Sequence, residues 1–268
     1  RFGTLHAYLA GEEKRAALST FSPAVAEAAS SKRLDWDALA GFFTFGFFLG
    51  HETYWQDIQI LPPATHLTLD EWGKTMSQES TWHWYYDPKP ESKKDQAITE
   101  FKDAFETVVQ DQVRGKSVAL PISGGLDSRS TLVPLSRSDF RGSADLFPFS
   151  YGYTKDSVET SIARQCAQKC GLDIQTWTIH PYLFDKLDRI MAAVEGFQDI
   201  TLCRQAYVVN DLSVKSSHVL AAHWGDVWLD DMGLLGTDVS LSDDMLAQKL
   251  VKKFSKQGSQ QLLDLFKD

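Results

Sequence analysis

Hydrophobic and polar residues follow one pattern up to about residue 88 and a different one beyond it. The first part has short apolar runs separated by turn residues. Residues 65–69 (THLTL) alternate in the way a half-buried β-strand does, and residues 35–48 run from an aspartate into an aromatic stretch that predicts a helix. Residues 87–94 (DPKPESKK) are charged and proline-rich, so they predict a linker between two domains.

Beyond this linker, predicted strands and helices alternate. Apolar residues recur at helical spacing from 98 to 109, and Gly115 stands where that helix would end. Further helices are predicted from a capping pair, Asp156 and Glu159, to Gly171, and over 181–194. The four predicted strands span residues 117–122, 144–150, 173–179 and 218–222. This alternation predicts an α/β fold, a parallel sheet with helices on both faces.

Composition and charge narrow the classes of function. The chain has 268 residues, 43% of them hydrophobic, which is enough for one large domain or two small ones. Its net charge of −9 argues against nucleic acid or an acidic membrane as a partner. The apolar run 42–49 is too short for the ~20 residues of a membrane span. Cys166, Cys170 and Cys203 lack a second Cys or His pair at metal-ligand spacing, so we expect ordinary thiols and a cytoplasmic protein.

The candidate chemistry lies in residues 120–128, which read LPISGGLDS. Ligands of parallel sheets bind beyond the carboxyl ends of the strands, where this loop would lie. Backbone N–H groups at the glycines, the helix N-terminus and the hydroxyls of Ser123 and Ser128 could hold a phosphate. Asp127 would repel that phosphate unless Mg²⁺ lay between them. The loop lacks the Gly-Lys-Ser/Thr ending of a Walker loop, so we predict that it binds the pyrophosphate part of ATP. The alternative is a Gly-Gly turn with a solvated aspartate.

SGGLDS resembles the pyrophosphate loop of the N-type ATP pyrophosphatases, most closely the asparagine synthetase and β-lactam synthetase family. Residues 39–69 are similar to the segment that joins this family's glutaminase domain to its synthetase domain, and residues 84–88 (WYYDP) are similar to its linker. The resemblance implies an adenine nucleotide alpha hydrolase-like fold preceded by the tail of an α+β glutaminase-like domain. It divides the chain into residues 1–88, the C-terminal remnant of a glutamine amidotransferase-like domain plus linker, and residues 89–268, a synthetase domain incomplete at its C-terminus. Because the chain begins at Arg1, we expect a fragment of a longer protein.

The resemblance also implies site residues. Asp127 and Asp226 would be the catalytic pair and would bind Mg²⁺, and Asp199 and Arg204 resemble the substrate-side loop. The residues expected to bind ATP are Pro121, Ser123, Gly124, Gly125, Asp127, Ser128, Tyr151, Ala221, Ala222 and His223.

The second nucleotide motif departs from the family pattern. The family reads Ser-Gly-acid-Gly-small-Asp-Glu and then a glycine pair, whereas residues 221–227 read AAHWGDV and are followed by Asp230 and Asp231. Two hypotheses therefore stay open for each of two residues. Asp226 binds the metal or caps a helix, and His223 contacts the α-phosphate or caps a loop.

Two further family features are not found in the sequence. No cysteine near residue 1 matches the glutaminase nucleophile, and no lysine after Asp226 matches the family's late motif. Lys249, Lys252 and Lys253 lie on a predicted amphipathic helix, so we expect them to be solvent-exposed. We therefore expect this chain alone to be catalytically incomplete.

Three functions are compatible with these sequence features. The leading hypothesis is an amide-forming ligase, similar to glutamine-hydrolysing asparagine synthase. It would adenylate a carboxylate (aspartate or an analogue), release AMP and pyrophosphate, and take nitrogen from ammonia or a glutamine donor. The alternatives are a non-catalytic nucleotide-binding or scaffold relative, and another ATP pyrophosphatase with the same loop, such as a tRNA-thiolating or NAD-synthesising type. A homodimer is compatible with the sequence.

Overall fold

The computed structural model describes residues 5–12, 15–29, 32–83, 85, 87, 93–222, 225, 234 and 240–264. The strands of this part are β1 Tyr8–Glu12, β2 Arg15–Ser19, β3 Ile58–Ile60, β4 Thr65–Leu69, β5 Thr75–Ser80, β6 Ser117–Pro121, β7 Asp145–Gly152, β8 Gln175–Thr178 and β9 His218–Val219. Its α-helices are α1 Ser22–Ala28, α2 Trp36–Phe45, α3 Lys94–Val113, α4 Leu126–Ser136, α5 Val158–Lys169, α6 Leu187–Val194, α7 Val209–Lys215, α8 Asp243–Phe254 and α9 Ser259–Asp264. Short 3-10 turns span Ile200–Leu202 and Arg204–Tyr207. Among these helices, none is long and apolar enough to cross a membrane.

The chain divides into two compact units that are not continuous in sequence. Unit 1 comprises Arg1–Asp87, Asp188–Ile200 and Met232–Asp268, and unit 2 comprises Pro88–Leu187 and Thr201–Asp231. The predicted division at residue 88 says which family domain each part of the chain resembles. Compact units do not test such a resemblance, so the glutaminase-like assignment of residues 1–88 stays a prediction.

Unit 2 contains a four-stranded parallel sheet in the order β8-β7-β6-β9. Val118 and Leu120 of β6 pack on one face, in a core shared with α3, α4 and α5. Ala119 points to the other face, where it packs with Phe149 and with Leu212 of α7. Because β6 is buried on both faces, it reads as a continuous apolar run rather than an alternating one. The predicted α/β fold with a parallel sheet is confirmed.

Unit 1 is built from antiparallel strands and short helices. Strands β2, β1 and β3 form one antiparallel sheet, and β4 pairs with β5 in a hairpin. Helix α2 begins where the side chain of Asp35 accepts a hydrogen bond from the Ala38 amide at 2.9 Å. It ends at Gly46, whose φ of 81° is in the left-handed region that glycine tolerates.

Several predicted boundaries were wrong. Ser157, not Asp156, caps α5, because its hydroxyl accepts a hydrogen bond from the Thr160 amide. The predicted helix 181–194 begins only at Leu187, and the residues before it form bends and turns. Phe184 is 86% exposed there, so this apolar residue does not belong to the buried face of a helix. The predicted strand 218–222 pairs with β6 over two residues only. Helix α8 lies where the amphipathic helix was predicted, and its three lysines are exposed.

Candidate functional site

The loop between β6 and α4 is held together by its own serines. The Ser123 hydroxyl accepts a hydrogen bond from the Gly125 amide at 3.1 Å, and the Ser123 amide donates to the Ser128 hydroxyl at 3.0 Å. The two hydroxyl oxygens lie 3.0 Å apart, and Ser128 is only 8% exposed. These serines, predicted as phosphate ligands, therefore also fix the shape of the loop.

The two glycines of this loop do not adopt the left-handed backbone conformation. Gly125 has φ −73° and ψ 155°, which any residue can adopt. A Cβ on Gly124 would lie 3.4 Å from the Cδ1 of Ile162 in α5, and one on Gly125 would lie 3.3 Å from the Ser123 hydroxyl. A Cβ on Gly124 would therefore make an ordinary contact, whereas one on Gly125 would press on the hydroxyl that fixes the loop.

Asp127 lies in the first turn of α4 and contacts residue 225, which is 98 positions away in sequence. Its Oδ2 accepts a hydrogen bond from the Gly225 amide at 2.9 Å. A Cβ on Gly225 would collide with this carboxylate, lying 2.8 Å from its Cγ. The fold therefore brings Gly225, a residue of the second nucleotide motif, to the first motif. Asp226 and His223 themselves lie outside the described residues.

Arg129 is a site candidate that sequence reasoning missed. Its Nε donates a hydrogen bond to the Gly125 carbonyl at 3.1 Å, which holds the guanidinium beside the loop. An arginine has five N–H donors, so the other nitrogens can bind an anion at the same place. The four-residue spacing of Gly125 and Arg129, one helical turn, could have indicated this contact from the sequence.

Parallel register places the other predicted nucleotide residues at the same edge of the sheet. Pro121 pairs with Phe149, and Tyr151 follows two residues later at the end of β7. Ala221 and Ala222 continue from β9, the neighbour of β6 on its other side. The chain order reverses between β6 and β9, and such a switch point is where open α/β sheets bind their ligands.

Arg204 lies among tyrosines of unit 2. Burial raises the pKa of Tyr151 above its ordinary value, while the positive charge of Arg204 opposes that rise. Burial also raises the pKa of Tyr182, again with Arg204 acting in the opposite direction. The rings of Tyr182 and Tyr207 meet edge to face, with centroids 6.3 Å apart. Arg204 therefore provides positive charge in a largely aromatic environment near the carboxyl end of β7.

Asp199, the other predicted substrate residue, belongs to unit 1. Its Oδ2 accepts a hydrogen bond from the Lys256 Nζ at 2.6 Å, in a partly exposed ion pair. The backbone amide of Lys256 also donates to the Thr44 carbonyl of α2 at 2.8 Å. Asp199 therefore forms an ion pair within unit 1. The predicted role of Asp199 in binding a substrate stays a prediction.

The donor atoms around the loop suit a hard cation. Within the described part of the chain, no group of three or more His, Cys, Asp or Glu side chains could hold a metal by itself. Asp127 offers a carboxylate at the sheet edge, and Mg²⁺ commonly uses one or two carboxylates together with substrate phosphates. The described residues therefore fit an ion that arrives with a nucleotide.

Comparison with known proteins finds a family model and a solved structure that are similar to this chain. A search of the curated proteins finds no match. Among solved structures, the chain is similar to an NH3-dependent NAD synthetase from Campylobacter jejuni subsp. jejuni NCTC 11168, in complex with the nitrate ion. The identity is 15%, the TM-score is 0.34, and the match covers 63% of this chain and 82% of that one. The asparagine synthase family model matches residues 100–220, which include β6, the SGGLDS loop and β9. Residues 100–220, a little under half of this chain, are therefore similar to the asparagine synthase family.

Proposed function

We propose that this chain is part of an ATP-dependent ligase that adenylates a carboxylic acid and converts it to an amide. The observation that carries the proposal is the SGGLDS loop at the carboxyl end of β6, with Asp127 hydrogen-bonded to Gly225. The asparagine synthase family match supports ATP use and amide-bond formation. Adenylation of a carboxylate and attack by an amine are the parts of the proposal that go beyond this match.

ATP would bind with its phosphates over the N-terminus of α4. The backbone amide of Gly124 and the partial positive charge of the helix N-terminus would contact the pyrophosphate part. Arg129, held by the Gly125 carbonyl, would supply a full positive charge at the same place. Arginine pairs well with phosphate because its planar fork can donate two hydrogen bonds at once.

Mg²⁺ would be held by Asp127, together with Asp226 as the sequence resemblance implies. The ion, when bound, neutralises the negative charge that develops on the leaving pyrophosphate. The Gly225 amide would keep the Asp127 carboxylate at the sheet edge, ready for that ion.

The reaction would proceed in two displacements. A carboxylate oxygen of the substrate attacks the α-phosphorus of ATP, and the bond from that phosphorus to the bridging oxygen breaks, so pyrophosphate leaves. An amine nitrogen, from ammonia or glutamine, then attacks the acyl carbon, loses a proton and expels AMP. Arg204 is the residue we assign to the substrate carboxylate, because it adds positive charge beside the partly buried Tyr151.

An isotope-exchange assay between ATP and pyrophosphate tests this function in the full-length protein. Exchange that depends on added aspartate or another carboxylic acid is expected, because the first displacement is reversible. Asp127→Asn should remove it, whereas Asp139→Asn, which changes an exposed carboxylate paired with Arg137, should not. Nucleotide binding without any exchange would instead favour the non-catalytic relative, which the altered sequence of residues 221–231 suggests.

A further inference from the structure

Unit 1 contains an open cavity of about 610 Å³. It is lined by three stretches of the unit: one side of α1 with the residues that follow it, the segment 53–58, and residues 195–197. Its polar and aromatic lining includes Ser22, Glu27, Lys32, Tyr54, Trp55, Glu195 and Phe197. The size is in the range of small-molecule sites.

Aromatic rings form much of its wall. The rings of Tyr54 and Phe197 lie with centroids 5.4 Å apart, and Trp55 lines the same cavity. A tyrosine phenol is neutral at physiological pH, and burial raises the pKa of Tyr54 further, to about 12. The wall therefore presents neutral π faces, which attract cations and repel anions.

Two carboxylates and one amine give the cavity its charge. Glu27 and Glu195 contribute negative charge, and Lys32 contributes one positive charge. The net charge of the lining is therefore negative, which disfavours an anionic ligand.

An uncommon backbone conformation holds Glu195 at this cavity. Its φ is 50°, and the following Gly196 has a φ of 78°. A Cβ on Gly196 would lie 3.0 Å from the Tyr54 hydroxyl, so the chain turns tightly over that ring. Left-handed backbone at a residue other than glycine often marks a functional position. Glu195 also accepts a hydrogen bond from the Ser22 amide at 2.7 Å, through one carboxylate oxygen.

We propose that this cavity binds an organic ammonium ion, an amine with an apolar substituent. The ammonium group would face Glu195 and Glu27, and its substituent would lie against the rings of Tyr54, Trp55 and Phe197. Aromatic walls combined with carboxylates are the chemistry that recognises such cations. The site lies within unit 1 and does not depend on the proposed ligase activity.

Calorimetric titration of the chain with benzylammonium, and with neutral benzyl alcohol as the matched ligand, tests the proposal. Benzylammonium should bind about threefold to tenfold more tightly than the alcohol, the range expected for partly exposed cation–π and ion-pair contacts. Glu27→Gln and Glu195→Gln should each weaken benzylammonium binding by about threefold and leave the alcohol unaffected. The glutamine at 195 can still accept the hydrogen bond from Ser22, so the fold is preserved.

Glu79→Gln is the control, since Glu79 is an exposed carboxylate of β5 that does not line the cavity. Equal affinity for the two ligands, no detectable benzylammonium binding, or unchanged affinity in both cavity variants would overturn the proposal. A salt titration supplies a second readout, because only the binding of the charged ligand should weaken as ionic strength rises.

Discussion

Replacing Gly225 by alanine should displace the carboxylate of Asp127. An added Cβ would lie 2.8 Å from Asp127 Cγ, closer than non-bonded Cβ atoms approach, and 3.0 Å from its Oδ2. Relief requires the aspartate to rotate or the 225 segment to move away. Either movement breaks the 2.9 Å hydrogen bond from the Gly225 amide to the carboxylate.

The expected loss of stability follows from the hydrogen bond between the Gly225 amide and Asp127. A hydrogen bond to a charged group contributes about 1.5–3 kcal/mol to stability. We therefore expect Gly225→Ala to lower the free energy of unfolding by about this amount. The loss should be much smaller in an Asp127→Ala background, because the shortened side chain leaves room for the new methyl group and the hydrogen bond is already gone.

Urea unfolding of the four proteins of this double-mutant cycle measures the coupling directly. Gly41→Ala is the matched control: a Cβ there would meet no atom within 4 Å, and its backbone is helical. Additive losses from Gly225→Ala and Asp127→Ala would refute the contact as we describe it. The same variants, assayed for binding of ATP with Mg²⁺, would connect the contact to the proposed function.

Four further predictions follow from single side chains. Leu120→Ala should lower the free energy of unfolding, measured in urea, by about 2–5 kcal/mol, because this residue is 0% exposed in the core of unit 2. Ser157→Ala should lower the free energy of unfolding by about 1 kcal/mol, because the hydroxyl that accepts a hydrogen bond from the Thr160 amide is lost. Ser157→Asp should retain most of that stability, because a carboxylate can accept the same hydrogen bond. Tyr54 has a pKa of about 12 in the folded chain, against 10.0 ordinarily, so the folded state keeps a proton that the unfolded state loses. Stability should therefore fall as pH rises from 10 toward 12, and an unchanged fall in Tyr54→Phe would contradict this. Arg129→Gln should reduce pyrophosphate exchange about tenfold or more, and Arg129→Lys less, whereas equal rates for the three proteins would exclude Arg129 from the site.

The sequence by itself determined the α/β class of unit 2 and the place of its loop. Strands of a parallel sheet are buried on both faces, so each reads locally as an apolar run between helical segments. Helix ends were less certain: Asp156 and Ser157 are both good caps, and only the folded backbone decides which side chain meets a free amide. The antiparallel strands of unit 1 were mostly missed because they are short and depend on partners far away in sequence.

Tertiary structure alone decided which distant residues meet. The family resemblance implied that residues 127 and 226 share one site, but no periodicity of the chain predicts the contact between Asp127 and Gly225, which spans 98 positions. The pairing of Asp199 with Lys256, and the presence of Glu195 beside α1 in unit 1, depend on how the segment 188–200 packs. Local patterns encode the elements because neighbouring residues share a helix or strand. Contacts between elements depend on shape and burial over the whole unit, so they appear only once it has folded.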